Sequence, residues 1–214
     1  MRIVAVSDIH GSMKMVKRLA KNMDEIRPDL VVISGDITNF GEKSDAKAIL
    51  SEIPFKKAAV PGNCDPPEIV DVFEECDTVD LHGKRAEING LIFAGLGASN
   101  PLPFSTLFTY SEENIGLILD SVAKGADVLV THTPPYGILD KTMFGHRGGS
   151  EAIREIVDKH RPRLSLFGHI HESPGVEKVD GTVFVNPGPL KEGNYAIIEI
   201  GDEIRVQRHH LSEK

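Results

Sequence analysis

The chain has 214 residues, with 24 Lys and Arg against 32 Asp and Glu, for a formal net charge of −8. This length suits a single domain, residues 1–214, and the acidic balance disfavours nucleic acid or an anionic membrane as a partner. Two cysteines fit neither a secreted disulfide framework nor a zinc finger, and no apolar run approaches the ~20 residues that span a bilayer. Because the first strand starts at residue 2, we expect no signal peptide and a cytoplasmic location.

Short apolar runs alternate with amphipathic stretches along the first third of the chain, a pattern typical of an α/β fold. Residues 2–7 predict a strand, and residues 12–26 predict a helix whose apolar side chains recur at helical spacing. The continuous apolar run 30–33 indicates a strand covered on both faces. The next predicted elements are a helix over 45–53, a strand over 57–60 and a helix from about 66 to 76.

The rest of the chain contains patterns that are typical of antiparallel strands. Residues 85–95 predict a hairpin, because Asn89-Gly90 supplies the positive φ angles of its tight turn. Helices over 111–123 and 149–160 alternate with strands over 127–131 and 164–167, and two further hairpins are predicted over 176–185 and 195–207. Parallel and antiparallel signals together predict two packed sheets with helices outside.

Five polar clusters share one position in this pattern, since each follows an apolar strand directly. They are Asp8-Ile9-His10, Gly35-Asp36, Gly62-Asn63-Cys64-Asp65, Thr131-His132 and Gly168-His169-Ile170-His171. Loops beyond the carboxyl ends of strands form the ligand crevice of open α/β sheets. We therefore expect the five clusters to converge on one site.

Their residue types suit divalent metals. Asp carboxylates can bridge two cations, the Asn carbonyl adds a neutral oxygen, and imidazole nitrogens suit manganese, iron, nickel or zinc. Two such cations bring +4 against −2 from two aspartates, so the site could hold a phosphoester anion despite the overall acidity. Metals also activate water near neutral pH, which predicts hydrolysis.

The ordered set D-x-H, GD, GN-x-D, H and G-H-x-H, over residues 8–171, resembles the calcineurin-like metallophosphoesterase superfamily. Residues 131–175 are similar to its Icc-related phosphodiesterase branch. The resemblance implies a four-layer αββα sandwich of two mixed β-sheets flanked by helices. It also implies two metal ions, one held by Asp8, His10 and His171 and one by Asn63, His132 and His169, with Asp36 bridging both.

The resemblance further implies a phosphodiesterase that hydrolyses small diesters, cyclic nucleotides or aryl esters among them, by attack of a metal-bound hydroxide. Cys64 departs from the pattern, because many members carry a histidine there that contacts the phosphate or protonates the leaving group. A thiol is a weak donor, so we expect activated or strained diesters to be better substrates than alkyl monoesters. Asp65 is a candidate for orienting the loop, and His146 for a substrate contact or substitute acid, although a plain loop histidine is the simpler interpretation.

Two alternatives remain open at this level. A decayed phosphoesterase fold could serve as a binding scaffold, which retention of all seven ligand residues opposes. A nuclease is the second, which the acidic balance opposes. Manganese is the metal favoured for assay, with iron, nickel or zinc as alternatives, and both the substrate and assembly into homo-oligomers stay open.

Overall fold

The computed structural model describes residues 1–101 and 105–211, and it confirms the αββα sandwich. Two six-stranded sheets pack face to face, and helices cover the outer face of each. The assignment of residues 1–214 to one domain stays a prediction, and its last three residues lie outside the described part.

The first sheet is mixed and has the order β12-β11-β1-β2-β3-β4. Its strands are β1 (Arg2–Val6), β2 (Leu30–Ser34), β3 (Lys57–Val60), β4 (Thr78–Asp80), β11 (Asn194–Ile200) and β12 (Ile204–His210). Strands β1 to β4 are parallel, and β11 and β12 continue the sheet antiparallel. The parallel strands are apolar on both faces, as expected of strands buried between a helix layer and a second sheet.

The second sheet is also mixed and has the order β5-β6-β7-β8-β10-β9. Its strands are β5 (Lys84–Ile88), β6 (Leu91–Leu96), β7 (Val128–Thr131), β8 (Leu164–Leu166), β9 (Gly175–Val179) and β10 (Thr182–Asn186). Strands β6, β7, β8 and β10 are parallel neighbours, and β5 and β9 form antiparallel edges. The predicted hairpin turn is present, with φ of +52° at Asn89 and +77° at Gly90.

Three apolar cores hold the four layers together. Helices α1 (Met13–Ile26) and α2 (Lys43–Ser51) pack on the outer face of the first sheet. The inward-facing residues of both sheets form the central core, and α3 (Glu112–Val122) and α4 (Glu151–His160) cover the second sheet. The parallel strands β1, β2, β3, β7 and β8 therefore end at one rim, where the polar clusters follow.

The predicted helix from 66 to 76 is wrong. The segment forms two 3₁₀ turns, Pro67–Val72 and Glu74–Cys76, with i to i+3 hydrogen bonds. The segment has no side-chain cap at its N-terminus, and its β-branched residues Ile69, Val70 and Val72 lower the α-helical propensity, which favours these short turns. The short strand β4 follows these turns and was not predicted. None of the helices in the described ranges combines the length and apolar character that a bilayer crossing requires.

Candidate metal centre

The polar clusters meet at the carboxyl ends of the parallel strands of both sheets. Within the first sheet, the loop after β1 is tied to the loop after β2, because His10 N donates to Asp36 O at 2.9 Å. Within the second sheet, Gly168 N donates to His132 O at 3.0 Å. The two rims join through the side chain of Asp8, whose Oδ2 accepts from His169 N at 3.1 Å.

Asp8, His10 and His171 form one group of ligand atoms. The Nε2 atom of His171 lies 3.2 Å from Asp8 Oδ1 and 3.4 Å from His10 Nε2. His10 Nε2 lies 3.9 Å from the same Asp8 oxygen. Three potential ligands, from both sheets, thus face a single point.

His132, Asn63 and His169 form a second group. His132 Nδ1 donates to the Ser34 carbonyl at 2.8 Å, since a carbonyl can only accept, and in the neutral ring this leaves Nε2 as a free acceptor. That nitrogen lies 2.9 Å from Asn63 Oδ1. The His169 ring stands edge-on to His132, with centroids 4.9 Å apart.

Asp36 lies between the two groups and offers one oxygen to each. Its Oδ2 is 3.5 Å from His10 Nε2, and its Oδ1 is 3.5 Å from His132 Nε2. Oδ1 also accepts from Cys64 N at 2.8 Å, which fixes the orientation of the carboxylate. This is the arrangement that a bridging carboxylate requires.

The charges of the site are held away from water. Burial raises the pKa of Asp36 to about 6 and lowers the pKa of His10 to about 4. Burial opposes ionisation of His132 too, but the carboxylates of Asp36 and Asp8 outweigh it and raise its pKa. Two buried carboxylates so close together therefore favour bound positive charge.

The donor set fits divalent metal ions. Within the described residues, Asp8 Oδ1 is buried and receives no hydrogen bond, which is costly for a carboxylate oxygen. Ligand atoms that share one cation at bond lengths of about 2.0–2.2 Å lie roughly 3.0–3.5 Å apart. The spacings of 3.2 and 3.4 Å around His171 and of 2.9 Å between His132 and Asn63 are close to that range. Nitrogen and oxygen donors together match manganese, iron, nickel or zinc.

Four of the ligand residues adopt left-handed backbone conformations, which non-glycine residues seldom occupy. The φ angles are +53° at Asp8, +46° at His10, +49° at Asp36 and +68° at His169. Each costs about 1–2 kcal/mol relative to the right-handed region. Strain of this kind persists where the surrounding structure holds it, and it is typical of functional sites.

The motif glycines supply space for the ligands of neighbouring loops. A Cβ atom at Gly62 would lie 2.0 Å from Asp36 Oδ1, and one at Gly168 would lie 2.4 Å from Asp8 Oδ2. Glycine is therefore needed at positions 62 and 168 because a carboxylate from another motif approaches each of them closely.

Asp65 lies behind the ligands. Its buried carboxylate accepts from Ile37 N at 3.0 Å, Gly62 N at 2.8 Å, and both Thr38 N and Thr38 Oγ1 at 2.7 and 2.8 Å. It thereby joins the Asp36 loop to the Asn63 loop. The interpretation from the sequence, that Asp65 orients this loop, stays a prediction.

Cys64 lies against the ligands. Its Sγ falls within 4.8 Å of ligand atoms of His10 and Asp36. Burial and the negative charge of Asp36 both raise the pKa of the Cys64 thiol. A weak proton donor thus occupies the position at which the resemblance implies a histidine in many family members.

His146 lies on an exposed turn within the segment between β7 and α4. Its carbonyl accepts from Thr142 N at 2.8 Å, while in the described ranges its imidazole makes no hydrogen bond to a ligand residue. The neighbouring Arg147 is engaged by buried Asp140, Nη1 to Oδ1, at 2.6 Å. The structure does not bring His146 together with the ligand group, and its role as a substrate contact stays a prediction.

Two residues that contribute to the site were not predicted from the sequence. Ser34 acts through its backbone carbonyl, which sets the ring of His132, and a backbone group leaves no residue-type signal. Lys191 follows β10 in a 3₁₀ turn, where its N donates to Asp8 O at 3.2 Å and its positive charge contributes to lowering the pKa of His10. A lone lysine with no motif around it could not have been placed there from sequence.

The comparisons with known proteins identify a family. The family model described as calcineurin-like phosphoesterase superfamily domain matches residues 1–203. An uncharacterized protein of Methanocaldococcus jannaschii is 35% identical over 201 residues, covering 88% of each chain. A protein of Arcobacter nitrofigilis, named as a probable glycerophosphodiester phosphodiesterase, is 27% identical over 200 residues, covering 80% of this chain and 72% of that one.

Solved structures share the fold across the chain. A protein of Thermus thermophilus superposes with a TM-score of 0.80 at 19% identity, covering 99% of both chains. A dimetal phosphatase from Danio rerio superposes with a TM-score of 0.70 at 12% identity, covering 100% of this chain and 97% of that one. At these identities the likeness establishes the fold alone.

Proposed function

The chain belongs to the calcineurin-like phosphoesterase superfamily, and on that premise we propose that it is a phosphodiesterase that hydrolyses small phosphodiesters with two divalent metal ions. The observation that carries the proposal is Asp36, whose two carboxylate oxygens face two separate groups of ligand atoms at 3.5 Å each. The relative named as a glycerophosphodiester phosphodiesterase supports a diester rather than a monoester substrate.

Seven side chains would hold the metals. Asp8, His10 and His171 would bind one ion, Asn63, His132 and His169 the other, and Asp36 both. Two divalent ions at these positions would supply Lewis acidity, which stabilises charge on the phosphoryl group and activates water as the nucleophile. The protein fixes the orientation of that ligand set: Ser34 holds the ring of His132, and Asp65 braces the loops that carry Asp36 and Asn63.

Cys64 bears on the choice of substrate. General acid assistance is typically worth about 10²–10⁴-fold, and a thiol supplies it poorly. A leaving group of low pKa, such as a nitrophenolate, departs without a proton, whereas an alkoxide does not. We therefore expect aryl or strained cyclic diesters to be hydrolysed faster than alkyl monoesters.

The test is hydrolysis of bis(4-nitrophenyl) phosphate and of 4-nitrophenyl phosphate by metal-stripped protein, with manganese, nickel, zinc or no metal restored. Activity that returns with metal, and is greater on the diester, supports the proposal. Absence of both metal uptake and hydrolysis would contradict it and favour a binding scaffold on the same fold. Manganese remains our proposed assay metal.

A Cys64→His variant tests the explanation for diester preference. Restoring a histidine should raise turnover of an alkyl monoester, glycerol 2-phosphate, relative to bis(4-nitrophenyl) phosphate by at least about tenfold, because the alkoxide leaving group regains a proton donor that nitrophenolate does not need. The ratio of kcat/KM for the two substrates is the measurement, and Cys64→Ser is the control of similar size. An unchanged ratio in Cys64→His would sink this explanation while leaving the metal site itself intact.

A further inference from the structure

Phe40 has two unusual properties at once. The residue is 55% exposed, although large aromatic side chains are commonly buried. Its backbone is also left-handed, with φ of +57°. A bulky residue in this conformation is a genuine outlier, since glycine would occupy the position at lower cost.

Phe40 lies on a loop next to the candidate metal centre. It follows the bridging residue Asp36 by four positions, and its backbone N donates to the Cys64 carbonyl at 3.1 Å. On the other side of the loop, Gly11 N donates to Ile37 O at 3.0 Å, next to His10. The loop that carries Phe40 thus lies between two ligand loops.

A small crevice opens beside Phe40. It has a volume of about 220 Å³, and its lining includes Asn39 and Gly41, the two neighbours of Phe40 in the chain. Gly11, which follows the ligand His10, lines it too, and Met13 and Ile49 add apolar surface. Phe40 itself does not line the crevice, which is bordered by the backbone on either side of it.

Several non-glycine residues with a positive φ at this rim are ligands, and the exception Ala98 (φ of +70°) is buried, unlike Phe40. Asp8, His10 and Asp36 are ligands, and their positive φ angles orient ligand atoms. Phe40 is strained in the same group of loops, yet it contributes no metal ligand, and its exposure means that core packing does not repay the strain. Retention of an exposed phenyl group at such a position points to a ligand that the phenyl group contacts.

Resting on the proposed phosphodiesterase function, we propose that the exposed ring of Phe40 forms a subsite for a planar aromatic ester group of the substrate, an aryl group or a nucleobase. The aromatic group would stack on the Phe40 ring while the phosphoryl group lies at the metals. Stacking on an aromatic ring depends little on the identity of the stacked aromatic group. It is strong enough to favour an aromatic ester over an alkyl ester by about fivefold or more.

The experiment compares two diesters that release the same leaving group, phenyl 4-nitrophenyl phosphate and methyl 4-nitrophenyl phosphate. Because nitrophenolate departs from both, the ratio of their kcat/KM values reports recognition of the retained ester group. With manganese-loaded protein, the wild type should favour the phenyl ester by about fivefold or more. Phe40→Gly should reduce the ratio to near one, mainly through a higher KM for the phenyl ester, and Phe40→Tyr should preserve it.

A second readout separates recognition from a structural role. Since glycine accepts a positive φ, Phe40→Gly should fold with a Tm close to or above that of the wild type and bind the same amount of metal. Leu117→Ala, a change at an exposed apolar residue on α3, is the control and should alter neither substrate's kinetics.

Three outcomes would overturn the proposal. The first is a ratio of the two kcat/KM values near one in the wild type, and the second is a ratio that Phe40→Gly leaves unchanged. The third is a ratio that Phe144→Ala abolishes instead, which would place recognition at the exposed turn that carries His146. Absence of hydrolysis of both esters by metal-loaded wild type would contradict the proposed function itself, and is distinguishable because it precedes any comparison of variants.

Discussion

The two ends of the sheets carry polar groups in contrasting states. At the carboxyl ends of the parallel strands, Asp8, Asp36 and His132 are buried, and the Asp8 Oδ1 oxygen has no hydrogen bond in the described structure. At the opposite end, a crevice of about 810 Å³ is lined by Arg2, Asp29, Glu199 and other charged residues. There Arg2 Nη2 pairs with Glu199 Oε1 at 3.0 Å, and Arg2 N donates to Asp29 Oδ2 at 2.6 Å.

The difference shows that cavity size is a poor guide to function in this molecule. The charges of the large crevice are largely exposed to water, and Arg2 and Glu199 pair with each other there, so little is gained by adding a ligand. The metal centre contains buried carboxylates and histidines whose lone pairs face one another, an arrangement that is stable only with added positive charge. Substitutions at the two ends should therefore differ sharply in their effects.

The largest effect is expected from Asp36→Asn. The amide keeps the shape of the side chain but removes the charge that two metals would share, so metal content should fall and diesterase activity should drop by more than about 100-fold. Metal analysis of the purified protein, together with the nitrophenyl diester assay, provides the measurement. Full activity with two bound metals would refute the bridging role.

A smaller effect is expected from Asp65→Asn, one layer behind the ligands. An amide in place of the carboxylate leaves one of the four donors around Asp65 without an acceptor, which costs about 1–3 kcal/mol of unfolding free energy. Metal affinity should fall by about 10–100-fold as the two loops loosen. Metal titration and denaturant unfolding would measure both, and wild-type affinity in this variant would mean that Asp65 braces the loops only for folding.

The smallest effect is expected at the opposite end, from Glu199→Gln. Both partners of the Arg2–Glu199 ion pair are about half-exposed, so its loss should change the unfolding free energy by no more than about 1 kcal/mol. Diesterase kinetics should stay at the wild-type level. A loss of activity comparable with that of Asp65→Asn would show that the two ends are coupled, and would break the contrast drawn between them.

Much of the fold and the site was predictable from the sequence because their signals are local. The apolar runs that became β1, β2 and β7 are buried on both faces in the structure, and the helical spacing of apolar residues located α1. The segment 66–76 was mispredicted, because burial of residues at helical spacing, Ile69 and Phe73 among them, does not distinguish an α-helix from consecutive 3₁₀ turns.

The sequence by itself determined which residue types follow each strand, and hence that carboxylates, an amide and imidazoles would gather at one rim. Only the tertiary structure decided how they face each other: that Asp36 divides its oxygens between His10 and His132, and that the Ser34 carbonyl orients His132. The positive φ of Phe40 is decided there as well. The physical reason is that residue type fixes the chemistry of a group, whereas its angle, burial and neighbours arise from contacts between segments distant in the chain.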